Sequence, residues 1–222
     1  MQIANRAVPF LLVIAALMFV RAPFMIDAAP IEAEMGVVQK IFYFHVPSAI
    51  MTFLGAFVCG VGSAIYLWRR SKFADQLAVS GAELAVLFGL IVMVTGPLWA
   101  RKTWGVWWPW GDVRLTMTLV MWMVFVAYLL LRRFGGPGSE ILASAVGVFG
   151  TVLVPFVYVS VNYWRTIHPT TDVVRTLPPE MALPFRWAVF AFLALFAALL
   201  IVRTRLEMNR AALEEAYVAL ED

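Results

Sequence analysis

The chain has 222 residues, 63% of them hydrophobic and 14% charged, with a net charge of +3. Soluble domains are roughly half apolar and about a quarter charged, so these proportions exclude an ordinary soluble domain and point to an integral membrane protein. The basic residues are scattered, which argues against nucleic acid as a partner. The single cysteine, Cys59, lies in an apolar run and leaves no intrachain disulfide or Cys–Cys metal site.

Six apolar segments approach the ~20 residues needed to cross the hydrocarbon core. They cover residues 7–26, 46–68, 77–99, 115–131, 141–163 and 185–202. The first is long for a signal-peptide core and five further spans follow, so it reads as a retained helix. The runs are too long and too continuously apolar for barrel strands. The fold expected is an all-α bundle of six transmembrane helices, residues 1–222 forming a single domain. The short second and fourth connections carry Arg69, Arg70 and Lys72, then Arg132 and Arg133. Arg6 precedes the first span and Arg203, Arg205 and Arg210 follow the last. By the positive-inside rule these clusters place both termini in the cytoplasm. The tail of about 203–222 reads as a short cytoplasmic segment, amphipathic and helical from Leu206. Glu83 falls within the third span, where an acid is a functional candidate by default, but it equally suits a place near the interface or, while protonated, a bond within the bundle.

The stretch from Thr103 to Thr116 reads Thr-Trp-Gly-Val-Trp-Trp-Pro-Trp-Gly-Asp-Val-Arg-Leu-Thr. Gly105, Pro109 and Gly111 interrupt Trp104, Trp107, Trp108 and Trp110, so no regular helix fits the stretch easily. Tryptophan marks membrane–water interfaces, and a plain interfacial belt is one reading. With Asp112 and Arg114 beside it, a flat aromatic surface also suits a large, planar, charged molecule.

There are two histidines, His45 before Val46-Pro47 and His168 before Pro169. Six spans put connections one, three and five on one face, so His45, the tryptophan stretch and His168 converge. Two neutral imidazoles can bind one transition metal or the two axial positions of a haem iron. A bare zinc site takes three or four protein ligands, with Asp112, Glu32 or Glu34 as candidates. Haem needs only two, the tryptophans could pack on its faces, and Arg114, Arg101 or Arg165 could pair with its propionates.

The segments Thr95-Gly-Pro-Leu-Trp99, Thr103-Trp-Gly-Val-Trp-Trp108 and Trp110-Gly-Asp-Val-Arg-Leu-Thr116 resemble the tryptophan-rich WWD motif of haem-handling proteins. Six spans, Phe42-Tyr-Phe-His-Val-Pro47 and Trp164-Arg-Thr-Ile-His168 resemble the CcmC family, the haem exporter protein C of cytochrome c maturation. The resemblance implies a multi-pass protein of the bacterial inner membrane that holds haem b at the periplasmic face. It implies His45 and His168 as axial ligands in outside loops. A WWD loop of about 101–114 supplies the platform, with Trp104, Trp107, Trp108, Trp110, Asp112 and Arg114. The partners implied are the haem chaperone CcmE, the ABC-transporter parts CcmA and CcmB, the small membrane protein CcmD, and membrane lipid. Such a protein is a transfer component, not an enzyme. The family places its last tryptophan directly before the aspartate, whereas Gly111 here separates Trp110 from Asp112, so the loop is expected to bulge or Trp110 to pack differently. Two other functions fit parts of the pattern. A haem lyase subunit of the CcsA or CcmF kind is longer and carries further histidines within its spans. An intramembrane transferase would use Asp112 and Arg114 on a lipid phosphate.

Overall fold

The computed structural model describes residues 2–221. Asp222, the end of the expected tail, lies outside them. Six α-helices follow one another: α1 (Gln2–Ala28), α2 (Phe42–Arg69), α3 (Lys72–Trp104), α4 (Val113–Phe134), α5 (Ser139–Tyr163) and α6 (Pro179–Glu221). Short 3₁₀ turns at Val37–Ile41 and Thr171–Val174 lie in the first and fifth connections. Among the described residues there is no β-strand, only an isolated bridge between Glu32 and Gly36. All six helices are long and apolar enough to cross a membrane, and the chain is a multi-pass membrane protein.

Every helix outruns the apolar window that announced it, because capping rather than hydropathy ends a helix. Ser71 caps α3 by accepting from the Ala74 amide at 3.3 Å. Gly105 closes α3 at φ 76°, a left-handed conformation that costs glycine little. Asp112 caps α4 by accepting from the Leu115 amide at 3.1 Å. α6 does not break after the apolar run, so the expected tail helix is its uninterrupted continuation.

The hub is α2. Three buried apolar clusters fill the bundle, and each contains α2 side chains: Ala56 and Cys59 among α3, α4 and α5; Phe42 and Tyr43 against α1 and α6; Met51 against α3 and α6. Lipid is as apolar as these side chains, so close packing rather than water exclusion selects the partners. At the α2–α3 crossing a Cβ on Gly55 would stand 2.7 Å from the Ala85 amide nitrogen and 2.8 Å from the Gly81 carbonyl oxygen. Only glycine lets these backbones approach so far. On the outer side α1 lies along α6, fastened by the Trp187 indole N–H to the Met18 carbonyl at 2.9 Å.

Two ion pairs tie neighbouring helices together. Arg203 of α6 clasps the Glu83 carboxylate through Nε at 2.5 Å and Nη2 at 2.6 Å, and reaches Glu207 at 2.9 Å. Glu83 thus bonds within the bundle, but as an ion pair with Arg203 rather than as the protonated acid expected from the sequence. Arg132 of α4 likewise meets Asp75 of α3 at 2.6 Å.

Candidate functional site: two imidazoles beside a tryptophan loop

His45 lies in the first turn of α2 and is 8% exposed. It therefore belongs to the helix rather than to the loop the family pattern implied. Its ring packs against one face of α3. Nδ1 lies 2.8 Å from the Thr95 hydroxyl, and that hydroxyl donates to the Ile91 carbonyl at 2.7 Å. The Thr95 oxygen is thus left to accept, and Nδ1 of His45 carries the proton. Trp99, one turn along α3, sets its ring edge-on to His45 with centroids 5.6 Å apart. Gly96 lies between them, and a Cβ there would touch the His45 ring at 3.4 Å. One turn of α3 fixes the ring plane and the tautomer, and Nε2 keeps its lone pair.

The tryptophan loop starts where α3 stops. Trp104 ends the helix, and Trp107 and Trp110 stand 58% and 72% exposed. Trp108 is half-buried, 6.0 Å from Trp110 between ring centroids, and its indole nitrogen is buried without a hydrogen-bond partner in the protein. Arg101 donates to the Gly105 carbonyl and lies over the Trp107 ring. The loop closes with the Asp112 amide on the Pro109 carbonyl at 2.8 Å, a tight turn whose inner positions are Trp110 and Gly111. A Cβ on Gly111 would meet nothing within 4 Å. Gly111 faces open space, and Trp110 beside it turns outward.

Asp112 joins this loop to the second histidine. Its Oδ1 caps α4 and its Oδ2 accepts from the Thr166 hydroxyl at 2.6 Å and the Ile167 amide at 2.9 Å. Thr166 Oγ1 in turn accepts from the His168 amide at 3.0 Å. The His168 ring places Nδ1 2.9 Å from the Pro169 carbonyl. A carbonyl only accepts, so Nδ1 donates and Nε2 again keeps its lone pair. Burial, reinforced by Arg114, keeps the His168 pKa below 6.5 against the opposing pull of the Pro169 carbonyl and Asp112. The imidazole is neutral at pH 7. Burial also acts to raise the Asp112 pKa, but hydrogen bonds from Thr166, Leu115 and Ile167 outweigh it, with His168 adding to them, and hold the carboxyl below the usual range.

The two basic residues beside the loop differ in what holds them. Nη1 of Arg114 donates to the Val157 and Tyr158 carbonyls of α5 at 2.8 and 2.9 Å, near a helix end whose partial charge favours a cation. Arg165 makes no ion pair with the described residues. It lines an open cleft of about 440 Å³ with Pro109, Gly111, Asp112, Thr166 and Ile167. Among the described residues no three His, Cys, Asp or Glu side chains gather as a metal site would need. Sequence reasoning assigned no role to Thr95, Gly96, Trp99 or Thr166. The first three stood within a recognised motif segment, and only the fold shows that they serve His45.

Fold and site define a helical, multi-pass membrane protein that presents two neutral imidazoles and a tryptophan-rich loop at one end. A family model described as Heme exporter protein C, CcmC, matches residues 1–219. The Heme exporter protein C of Escherichia coli strain K12 is 34% identical over 185 residues, covering 80% of this chain and 73% of its own. That of Bradyrhizobium diazoefficiens is 30% identical over 220 residues, covering 95% and 82%. A Marchantia polymorpha protein named "Putative cytochrome c biosynthesis ccmC-like mitochondrial protein" is 28% identical over 180 residues, covering 80% and 77%. The chain belongs to the heme exporter protein C family.

Proposed function

We propose that this chain is a haem-binding membrane component of cytochrome c maturation, a handling and transfer protein rather than a catalyst. One observation carries the reading: each histidine donates Nδ1–H to a fixed acceptor, so two Nε2 lone pairs are free at the same end of the bundle. This is the usual state of a metal-binding imidazole, oriented by the bond its other nitrogen makes. Two ligands without a third suit haem, whose porphyrin supplies the remaining four nitrogens, better than a bare ion. His45 and His168 would hold the iron of a bound haem, which would supply the metal that two imidazoles alone do not enclose. Trp104, Trp107, Trp108 and Trp110 offer apolar surface, Asp112 sets the His168 segment, and Arg114 holds α5 behind it. The sole cysteine, Cys59, is buried in α2 and offers no thioether attachment, which favours non-covalent haem b.

In this reading the histidine end faces the periplasm of a bacterial inner membrane, both termini are cytoplasmic, and haem passes to the chaperone CcmE in a complex with CcmA, CcmB and CcmD. The names of the relatives support export and cytochrome c biosynthesis. Arginine clusters at the opposite end support the orientation. Asp112 and Arg114 are engaged within the protein, which disfavours their acting on a lipid phosphate.

The test is the visible spectrum of the purified protein loaded with haem. The wild type is expected to be six-coordinate and low-spin, and His45→Ala or His168→Ala to shift it toward five-coordinate or high-spin forms. Unchanged spectra in both variants would remove these histidines from the site.

A further inference from the structure

The end of the bundle away from the histidines holds a second cluster of polar groups. A Cβ on Gly147 of α5 would lie 2.7 Å from Ser63 Oγ, 3.0 Å from Cys59 Sγ and 3.2 Å from Tyr128 Cε2, so α2, α4 and α5 converge there. Ser144 stands one turn from Gly147 along α5, and Arg132 one turn from Tyr128 along α4, both toward the α4–α5 connection. On the remaining side a Cβ on Gly62 would lie 2.7 Å from the Ala74 carbonyl, which sets Asp75 level with Ser63. Asp75 and Arg132 are bonded Oδ2 to Nη2 at 2.6 Å.

Four atoms in this layer are buried without a well-formed hydrogen bond in the protein: Asp75 Oδ1, Arg132 Nη1, Ser144 Oγ and Tyr128 Oη, the last beside the Ser63 hydroxyl and the Cys59 thiol. Tyr128 and Ser144 are 0% exposed and Asp75 9%. Orphaned groups at this depth are costly singly, and four in one layer from three helices indicate a common partner. Its chemistry follows from the set. Arg132 Nη1 only donates and ionised Asp75 Oδ1 only accepts, while the two hydroxyls do either. A metal cation would face the guanidinium, and an anion would face the carboxylate. A small neutral molecule that both donates and accepts serves all four, and buried water commonly makes about three such bonds.

We propose that Asp75, Tyr128, Arg132 and Ser144 enclose a binding site for ordered water inside the bundle, at the end opposite His45 and His168. The water extends the Asp75–Arg132 bond between α3 and α4 across to α5. It thereby fastens that end of the bundle independently of the imidazole site.

Radiolytic hydroxyl labelling of the full-length protein in lipid nanodiscs tests this, because ordered water next to a buried ring delivers the radical to it. Tyr128 is expected to label at a rate comparable to exposed Tyr163, while Phe125, one turn away and 1% exposed, stays unlabelled. In the double variant Tyr128→Phe, Ser144→Ala, labelling at position 128 should fall by about five-fold, because two of the groups that order the water are gone. Tyr128 labelling no faster than Phe125 in the wild type overturns the proposal, and this arm stands whether or not the variant folds. Unchanged labelling in a folded variant overturns it too, since access would then come from opening of the bundle.

Discussion

The Thr166 hydroxyl donates to Asp112 Oδ2 at 2.6 Å, across 54 residues of sequence. The same carboxylate caps α4. One side chain therefore fixes where the tryptophan loop ends and where the segment before His168 begins. The acid next to the tryptophans is a fastening between two connections, and the bonds it makes are charge-assisted, about 1.5–3 kcal/mol each.

Asp112→Asn tests that role with little change of volume. Asparagine can keep the cap or accept from Thr166, but its neutral oxygen holds the loops more weakly. Haem retained per protein in purified membranes should fall about ten-fold, equivalent to roughly 1.4 kcal/mol, with the protein at normal abundance. A purely interfacial tryptophan belt predicts no change in retained haem, and that result would reject the fastening.

Thr95→Val removes the acceptor that fixes the His45 tautomer while keeping the shape of the side chain. Loss of such an orienting partner typically lowers metal affinity ten- to a hundred-fold. Haem titration monitored at the Soret band should show a drop of about ten-fold, with His45 still present. Wild-type affinity would mean that Trp99 and the α3 backbone alone orient the ring.

The six spans were legible because lipid writes hydropathy directly into sequence. Parity followed from their number, and the Asp112–Thr166 bond and the shared apolar cluster of Phe42, Trp99, Val173 and Phe185 bear it out by bringing the odd connections together. The ends were not legible. Trp104 and Phe42 lie in helices outside the apolar windows because Gly105 and the turn Val37–Ile41, not polarity, set those limits. The polar pairings left no pattern either: His45–Thr95 and Asp112–Thr166 join residues about fifty positions apart, and a single hydroxyl has no periodicity. Arg114 and Arg165 look alike in sequence as partners for a carboxylate, and only the fold reveals that Arg114 is bound to α5.

Orientation is testable with single cysteines in a Cys59→Ala background. Pro137 lies exposed in the α4–α5 connection and Thr170 lies exposed in the fifth. Pro137→Cys should resist a membrane-impermeant thiol reagent in intact spheroplasts and react once they are lysed. Thr170→Cys should react in both. The reverse pattern would invert the protein in the membrane and leave the shared face of the two histidines untouched.

Arg114 shapes the site, whereas Arg165 is placed to meet its cargo. Arg114 spends Nη1 on the Val157 and Tyr158 carbonyls, so Arg114→Gln strips two bonds from the end of α5. The expected result is a less stable protein, by about 2 kcal/mol, seen as a lower thermal midpoint in detergent even without haem. Arg165 has no such duty. It lies three residues before His168 on the open cleft beside Asp112, where a guanidinium can pair with a carboxylate arriving from outside. Arg165→Gln should leave the haem-free thermal midpoint unchanged and weaken haem binding about five-fold, equivalent to roughly 1 kcal/mol for a partly solvated ion pair. Raising the salt concentration should narrow the gap between wild type and Arg165→Gln, because screening removes the same attraction. Esterifying the propionates should abolish the gap altogether, since the carboxylate is then absent from both measurements. Equal haem affinity for wild type and Arg165→Gln at low salt would assign propionate recognition elsewhere. A haem-free stability loss in Arg165→Gln would show that this side chain, too, is bound into the fold.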